Sequence, residues 1–135
     1  MSKPRKYVEG RRLLSHVDLR VRDRDAAEAF YDVVFAPLKI ARSNGDGEWV
    51  SYDAIPEVDD AYATEWFGFT QDADMSPSGT RIALYAASRE EVDRVAEAAA
   101  EAGALDIERP GEIYGYYATF FADPDGNKLE VCFLP

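Results

Sequence analysis

Four side chains that can move protons or hold charge recur at one spacing in this 135-residue chain. His16 is the only histidine, and the step from it to Arg81 equals the step from Glu65 to Glu130. An imidazole and two carboxylates can pass protons or offer lone pairs to a cation. A guanidinium stays protonated and offers no lone pair. One copy of the repeat therefore carries a base where the other carries a permanent cation. Asp23 and Ser88, both candidate helix caps, keep the same interval. Coincidence across strand, cap and strand points to a repeated unit rather than chance.

The elements that would position these groups follow from periodicity. "LLSHVDLRV" alternates, with Leu14, His16, Asp18 and Arg20 on one face and Val17, Leu19 and Val21 on the other. A helix capped at Asp23 or Asp25 follows, with an apolar stripe of Ala26, Ala27, Phe30, Tyr31 and Val34 ending at Pro37. Short strands are predicted at 38–42, 47–53 and 63–69, with "SNGDG" as a hairpin turn. The pattern then restarts. "TRIALYA" is a strand, and Ser88 with Glu91 forms a capping box. Val92, Val95, Ala96 and Ala99 form the buried stripe, and Gly103 stops the helix. Strands at 105–109, 115–123 and 127–135 complete the unit, the last two joined by the type I turn "DPDGN". The order is β-α-β-β-β twice.

Ile82 and Leu84 should pack under the second helix, which turns Arg81, Ala83 and Tyr85 away from it. Leu129, Val131 and Phe133 share one face of the last strand; Glu130 and Cys132 share the other. Glu65 shares a face with Phe67 and Phe69. If the sheet curves, the faces away from the helices line a cavity on which His16, Glu65, Arg81 and Glu130 converge. Tyr85, Tyr116, Tyr117, Trp66 and Phe67 are candidate pocket-lining aromatics there, with Tyr85, Tyr117 and Phe67 as candidate ligand contacts, although strand aromatics are core packing more often than recognition groups. Cys132 reads as a small packed residue.

The doubled order, "SHVDLRV" and "TRIALYA" each leading into a helix, and the tail "PGEIYGYYATFFADPDGNKLEV" resemble the vicinal oxygen chelate superfamily, which includes glyoxalases, bleomycin-resistance proteins and extradiol dioxygenases. The resemblance implies an α+β fold: two βαβββ modules (13–70 and 79–135) in a curved, partly open eight-stranded sheet around a cleft, helices outside, often in a homodimer. It implies a divalent metal held from the first, fourth, fifth and eighth strands, which match His16, Glu65, Arg81 and Glu130. Glu65 and Glu130 would then also move protons beside a substrate carbonyl. Arginine at the fifth-strand place departs from that pattern. Two readings follow. Either His16, Glu65 and Glu130 hold a metal in a glyoxalase-like lyase or isomerase, or Arg81 replaces the metal in a binding protein for a cationic or aromatic small molecule. A single histidine argues against the two-histidine site of extradiol dioxygenases.

Bulk properties narrow the classes. Net charge is −11, which disfavours nucleic acid as a partner. Lys3, Arg5, Lys6, Arg11 and Arg12 against Glu9 make residues 1–12 a basic arm ahead of a single domain at 13–135. One cysteine allows no internal disulfide. No apolar run reaches membrane length and no signal-peptide core opens the sequence. A cytoplasmic homodimer that binds a small molecule and no membrane is the expectation.

Overall fold

The computed structural model describes residues 9–11, 13–44, 47–54 and 65–135. Most of the expected basic arm, the tip of the "SNGDG" turn and the loop after Ala54 lie outside the described residues. The elements run β1 (His16–Val21), α1 (Arg24–Phe35), a 3-10 turn (Ala36–Leu38), β2 (Ile40–Asn44), β3 (Trp49–Ala54) and β4 (Trp66–Gln71). The second set is β5 (Arg81–Tyr85), α2 (Arg89–Glu101), β6 (Leu105–Ile113), β7 (Tyr116–Ala122) and β8 (Lys128–Phe133). The β-α-β-β-β order therefore occurs twice. The eight strands divide into two four-stranded mixed sheets, β1-β4-β3-β2 and β5-β8-β7-β6. In each, the first strand pairs parallel with the fourth and the other neighbours are antiparallel.

Both helices begin where the caps predict. The Asp23 carboxylate accepts from the Ala26 amide at 3.0 Å, and Ser88 Oγ accepts from the Glu91 amide at 3.1 Å. Glu91 reaches back past the cap and accepts from the Ala87 amide at 2.9 Å. Each capped end satisfies donors that would otherwise be orphaned. Gly103, at φ +92, closes α2. Pro37 marks where α1 tightens into the 3-10 turn. Strand β6 runs past its predicted end at Arg109 to Ile113, because it pairs with β7 along its length through two register shifts.

One core joins both modules on the helix-facing sides of the sheets. Val21, Phe67 and Phe69 meet Phe30, Tyr31, Val34 and Phe35 of α1, while Leu129 and Val131 meet Val92, Val95 and Ala99 of α2. The inner faces predicted for β1, β5 and β8 are the ones that pack: Val17, Leu19, Ile82 and Leu84 lie against this core. Burying each large side chain contributes about 1.5–3 kcal/mol.

The tail turn locks the modules together. Asp123 is 1% exposed. Its carboxylate accepts from the Tyr31 hydroxyl at 2.6 Å, from the amides of Asp125 and Asn127 at 2.9 Å, and from Asn127 Nδ2 at 2.9 Å. Asn127 Nδ2 also donates to the Arg20 carbonyl of β1 at 3.1 Å. Burial, and then the Asp123 charge, hold the Tyr31 phenol well above its ordinary pKa.

Candidate functional site

Each sheet keeps its helix on one side, leaving an outer face on the other. On the first sheet, parallel register places Trp66 beside His16 and Gly68 beside Asp18. The His16 and Trp66 rings stack with centroids 4.0 Å apart and planes 4° off parallel. Trp49 meets Trp66 edge-on at 5.1 Å. His16 Nδ1 lies 3.0 Å from Ser15 Oγ. The result is a partly exposed aromatic platform of one imidazole and two indoles; the sequence points to His16 and Trp66 but not to Trp49 or to their stacking.

Gly68 explains how two indoles from neighbouring strands fit on one sheet face. A Cβ there would lie 2.9 Å from Trp66 Cζ3, 3.1 Å from Trp49 Cζ2 and 2.9 Å from the Val50 carbonyl oxygen. The position admits no side chain without backbone movement. A glycine inside a strand often marks such a close approach, and that was the available signal.

On the second sheet, Glu130 pairs with Ala83 of β5 and Phe120 of β7. It is buried, 9% exposed. Tyr116 and Cys132 turn toward it on the same face. Burial, followed by the charge and hydrogen bonding of Glu130, raises the Tyr116 phenol and the Cys132 thiol. The Arg81 guanidinium lies over the Phe120 ring at 4.8 Å. It has not forked across the two glutamates.

The uniform repeat interval does not survive at the fourth and eighth strands. In the first module His16 is paired with Trp66, and in the second Arg81 is paired with Lys128, a shorter step along the chain. Ala83 is the repeat mate of Asp18, so the first-module counterpart of Glu130 is Gly68, not Glu65. Glu65 precedes β4 and stands just out of step with the position beside His16.

Two predicted ligand contacts lie on the helix side. Phe67 is 6% exposed and packs against Tyr31 and Phe35, with centroids 5.1 Å from each. Register with Phe133 turns Tyr117 inward, where its hydroxyl donates to Asp93 of α2 at 2.6 Å. Its neighbour Tyr116 takes the outer face. Tyr85 is on the outer face and 77% exposed. His16 and Glu130 stand on different sheets, and no three His, Cys, Asp or Glu side chains gather among the described residues.

A family model described as the Glyoxalase/Bleomycin resistance protein/Dioxygenase superfamily matches residues 13–131. The chain belongs to that superfamily. Its fold, two βαβββ modules without barrel closure, is the vicinal oxygen chelate fold of this group. A glyoxalase/bleomycin resistance protein from Albidiferax ferrireducens T118 superposes with TM-score 0.78 at 25% identity, covering 90% of this chain and 98% of that one. A glyoxalase/bleomycin resistance protein/dioxygenase family enzyme from Burkholderia phytofirmans PsJN gives 0.69 at 22% identity, covering 90% and 98%. The fosfomycin resistance protein FosX from Listeria monocytogenes gives 0.66 at 20% identity, covering 92% and 94%. No functionally curated protein matches the chain. None of the described helices of this superfamily member is long and apolar enough to cross a membrane.

Proposed function

We propose that this superfamily member is a metal-independent small-molecule-binding protein that takes a planar, cationic or aromatic ligand on the His16–Trp66–Trp49 platform. The observation that carries this reading is Gly68. It stands where the second module has Glu130, and its lack of room for a side chain is the reason the indoles fit. Of the four places expected to hold a divalent ion, the fourth-strand one has Gly68 where the eighth has Glu130, one is an arginine without a lone pair, and no three His, Cys, Asp or Glu side chains among the described residues are grouped to hold an ion. The described residues of one chain do not fit the ion. Flat rings over an acidic body suit a planar cation, which gains stacking and charge attraction together. A homodimer agrees with this reading. No described helix covers either outer face, and Tyr85 and Arg81, both exposed, lie on the second one.

The test is a titration of tryptophan emission and thermal stability with bleomycin and with a simple planar cation such as acridine orange. Elemental analysis of protein purified without chelators accompanies it. Quenching with a raised Tm, unchanged by EDTA and lost in Trp66→Ala, is the expected result. Stoichiometric divalent metal, or binding that survives Trp66→Ala, overturns the reading.

Glu130 favours a second reading. A buried carboxylate facing a phenol and a thiol on an open face can take a proton from carbon beside a carbonyl, as a glyoxalase-like isomerase requires. Deuterium exchange into a small hydroxycarbonyl compound that is abolished in Glu130→Gln would support it.

A further inference from the structure

The second sheet carries a different constellation from the platform. On its outer face lies a cavity of about 170 Å³, walled by Arg81 and Lys128 on one side and by Asp106 and Glu108 on the other, with Phe120 between them. Parallel register sets Arg81 directly beside Lys128. Like charges opposite one another in a sheet repel. Among the described residues no ion pair relieves either cation.

Strand order explains why the opposite charges stay apart. β7 separates β8 from β6, and β5 lies one strand further out. The β8 and β6 backbones are therefore about 10 Å apart. A register shift between Leu105 and Glu108 bulges β6 and sets Asp106 at φ 52. That is a left-handed conformation, which aspartate adopts more readily than most residues. The bulged strand brings both acids to the cavity.

We propose that this cavity seats a small zwitterion. Its anionic end accepts hydrogen bonds from Arg81 and Lys128, its ammonium end donates to Asp106 and Glu108, and its short apolar stem lies on Phe120. A plain anion leaves two carboxylates facing it, and a plain cation leaves the Arg81–Lys128 repulsion in place. The volume equals roughly five or six waters at about 30 Å³ each, enough for a short amino acid. This site is on the other sheet from Trp66, so it stands or falls independently of the platform.

The full chain is titrated at low ionic strength with 4-aminobutanoate, butanoate and butylammonium, followed by calorimetry and by amide chemical shifts. The zwitterion is expected to bind about tenfold or more tightly than either single-ended probe. The largest shifts should fall on residues 81, 106–108, 120 and 128. A double variant Arg81→Ala, Lys128→Ala should reduce 4-aminobutanoate to the affinity of butylammonium. Asp106→Asn with Glu108→Gln should reduce it to that of butanoate. All these side chains are exposed, so the variants should keep the parent's Tm, which is measured alongside. Equal binding of the three probes, binding of none, or a zwitterion preference that survives either double variant overturns the proposal.

Discussion

The two modules share strand order, pairing and helix caps, yet almost nothing on their outer faces corresponds. The first module fills its inner side with rings: Phe30, Tyr31, Phe35, Tyr52, Phe67 and Phe69. The second uses Val92, Val95, Ala99, Leu129 and Val131, with Phe121 as its buried ring. Outside, the first presents His16 stacked on Trp66, and the second presents a buried Glu130 with Tyr116 and Cys132. Topology thus depends on where apolar residues alternate, and any apolar side chain of suitable volume serves. Chemistry depends on single outward positions, which the scaffold leaves free to differ.

Neighbouring residues on one strand give the sharpest way to break that division. Phe67 and Trp66 are adjacent on β4 but face opposite ways. Phe67→Ala should cost about 3–5 kcal/mol of stability through a cavity in the core. Trp66→Ala should cost about 1 kcal/mol or less, yet abolish binding of planar cations. Urea denaturation and fluorescence titration of both variants measure the contrast. Equal stability losses would mean that β4 does not present one inner and one outer face.

Gly68 supplies a smaller effect. Gly68→Ala forces a methyl against the Val50 carbonyl and both indoles. About 1–3 kcal/mol should be lost, with displaced tryptophan emission. At its second-module counterpart, Glu130→Ala should leave tryptophan emission unchanged. A harmless Gly68→Ala would remove the packing argument for the platform.

The smallest effect concerns pH. Tyr31 and Tyr52 both have phenols raised above the ordinary value, chiefly by burial. A raised folded-state pKa means stability is fully present below the unfolded pKa of about 10 and falls as pH climbs above it. Melting temperature should therefore decline through alkaline pH, and less steeply in Tyr31→Phe, because removing one such phenol removes its share of the linkage. An unchanged slope in that variant would show that the phenol is not held neutral by the fold.

Much of this division is legible in the sequence. Both caps, the helix stripes and the inner faces of β1, β5 and β8 follow from local spacing alone, except that Ala26 is exposed and Phe35 takes the buried place at the end of the α1 stripe. The fourth strand does not, because a uniform repeat interval assumes connections of equal length. The first module has a longer stretch of chain than the second between its paired strands, which moves the counterpart of Glu130 from Glu65 to Gly68. The choice between Tyr116 and Tyr117 is hidden from the sequence for a related reason. Tyr116 and Tyr117 are adjacent and chemically alike, and only pairing with Phe133 decides which one faces inward. The aromatic platform is also a product of pairing, since His16, Trp49 and Trp66 are scattered along the chain.

The carboxylate of Asp123 grips a phenol on α1, while Asn127 beside it holds the end of β1. Covalent continuity between Asp72 and Thr80 is then not what keeps the halves in register. A protease cut in that exposed connector should leave two fragments that travel as one particle through a sizing column and separate only on denaturation. New termini opened there, with the old ends fused, would give a rearranged chain carrying the same grip.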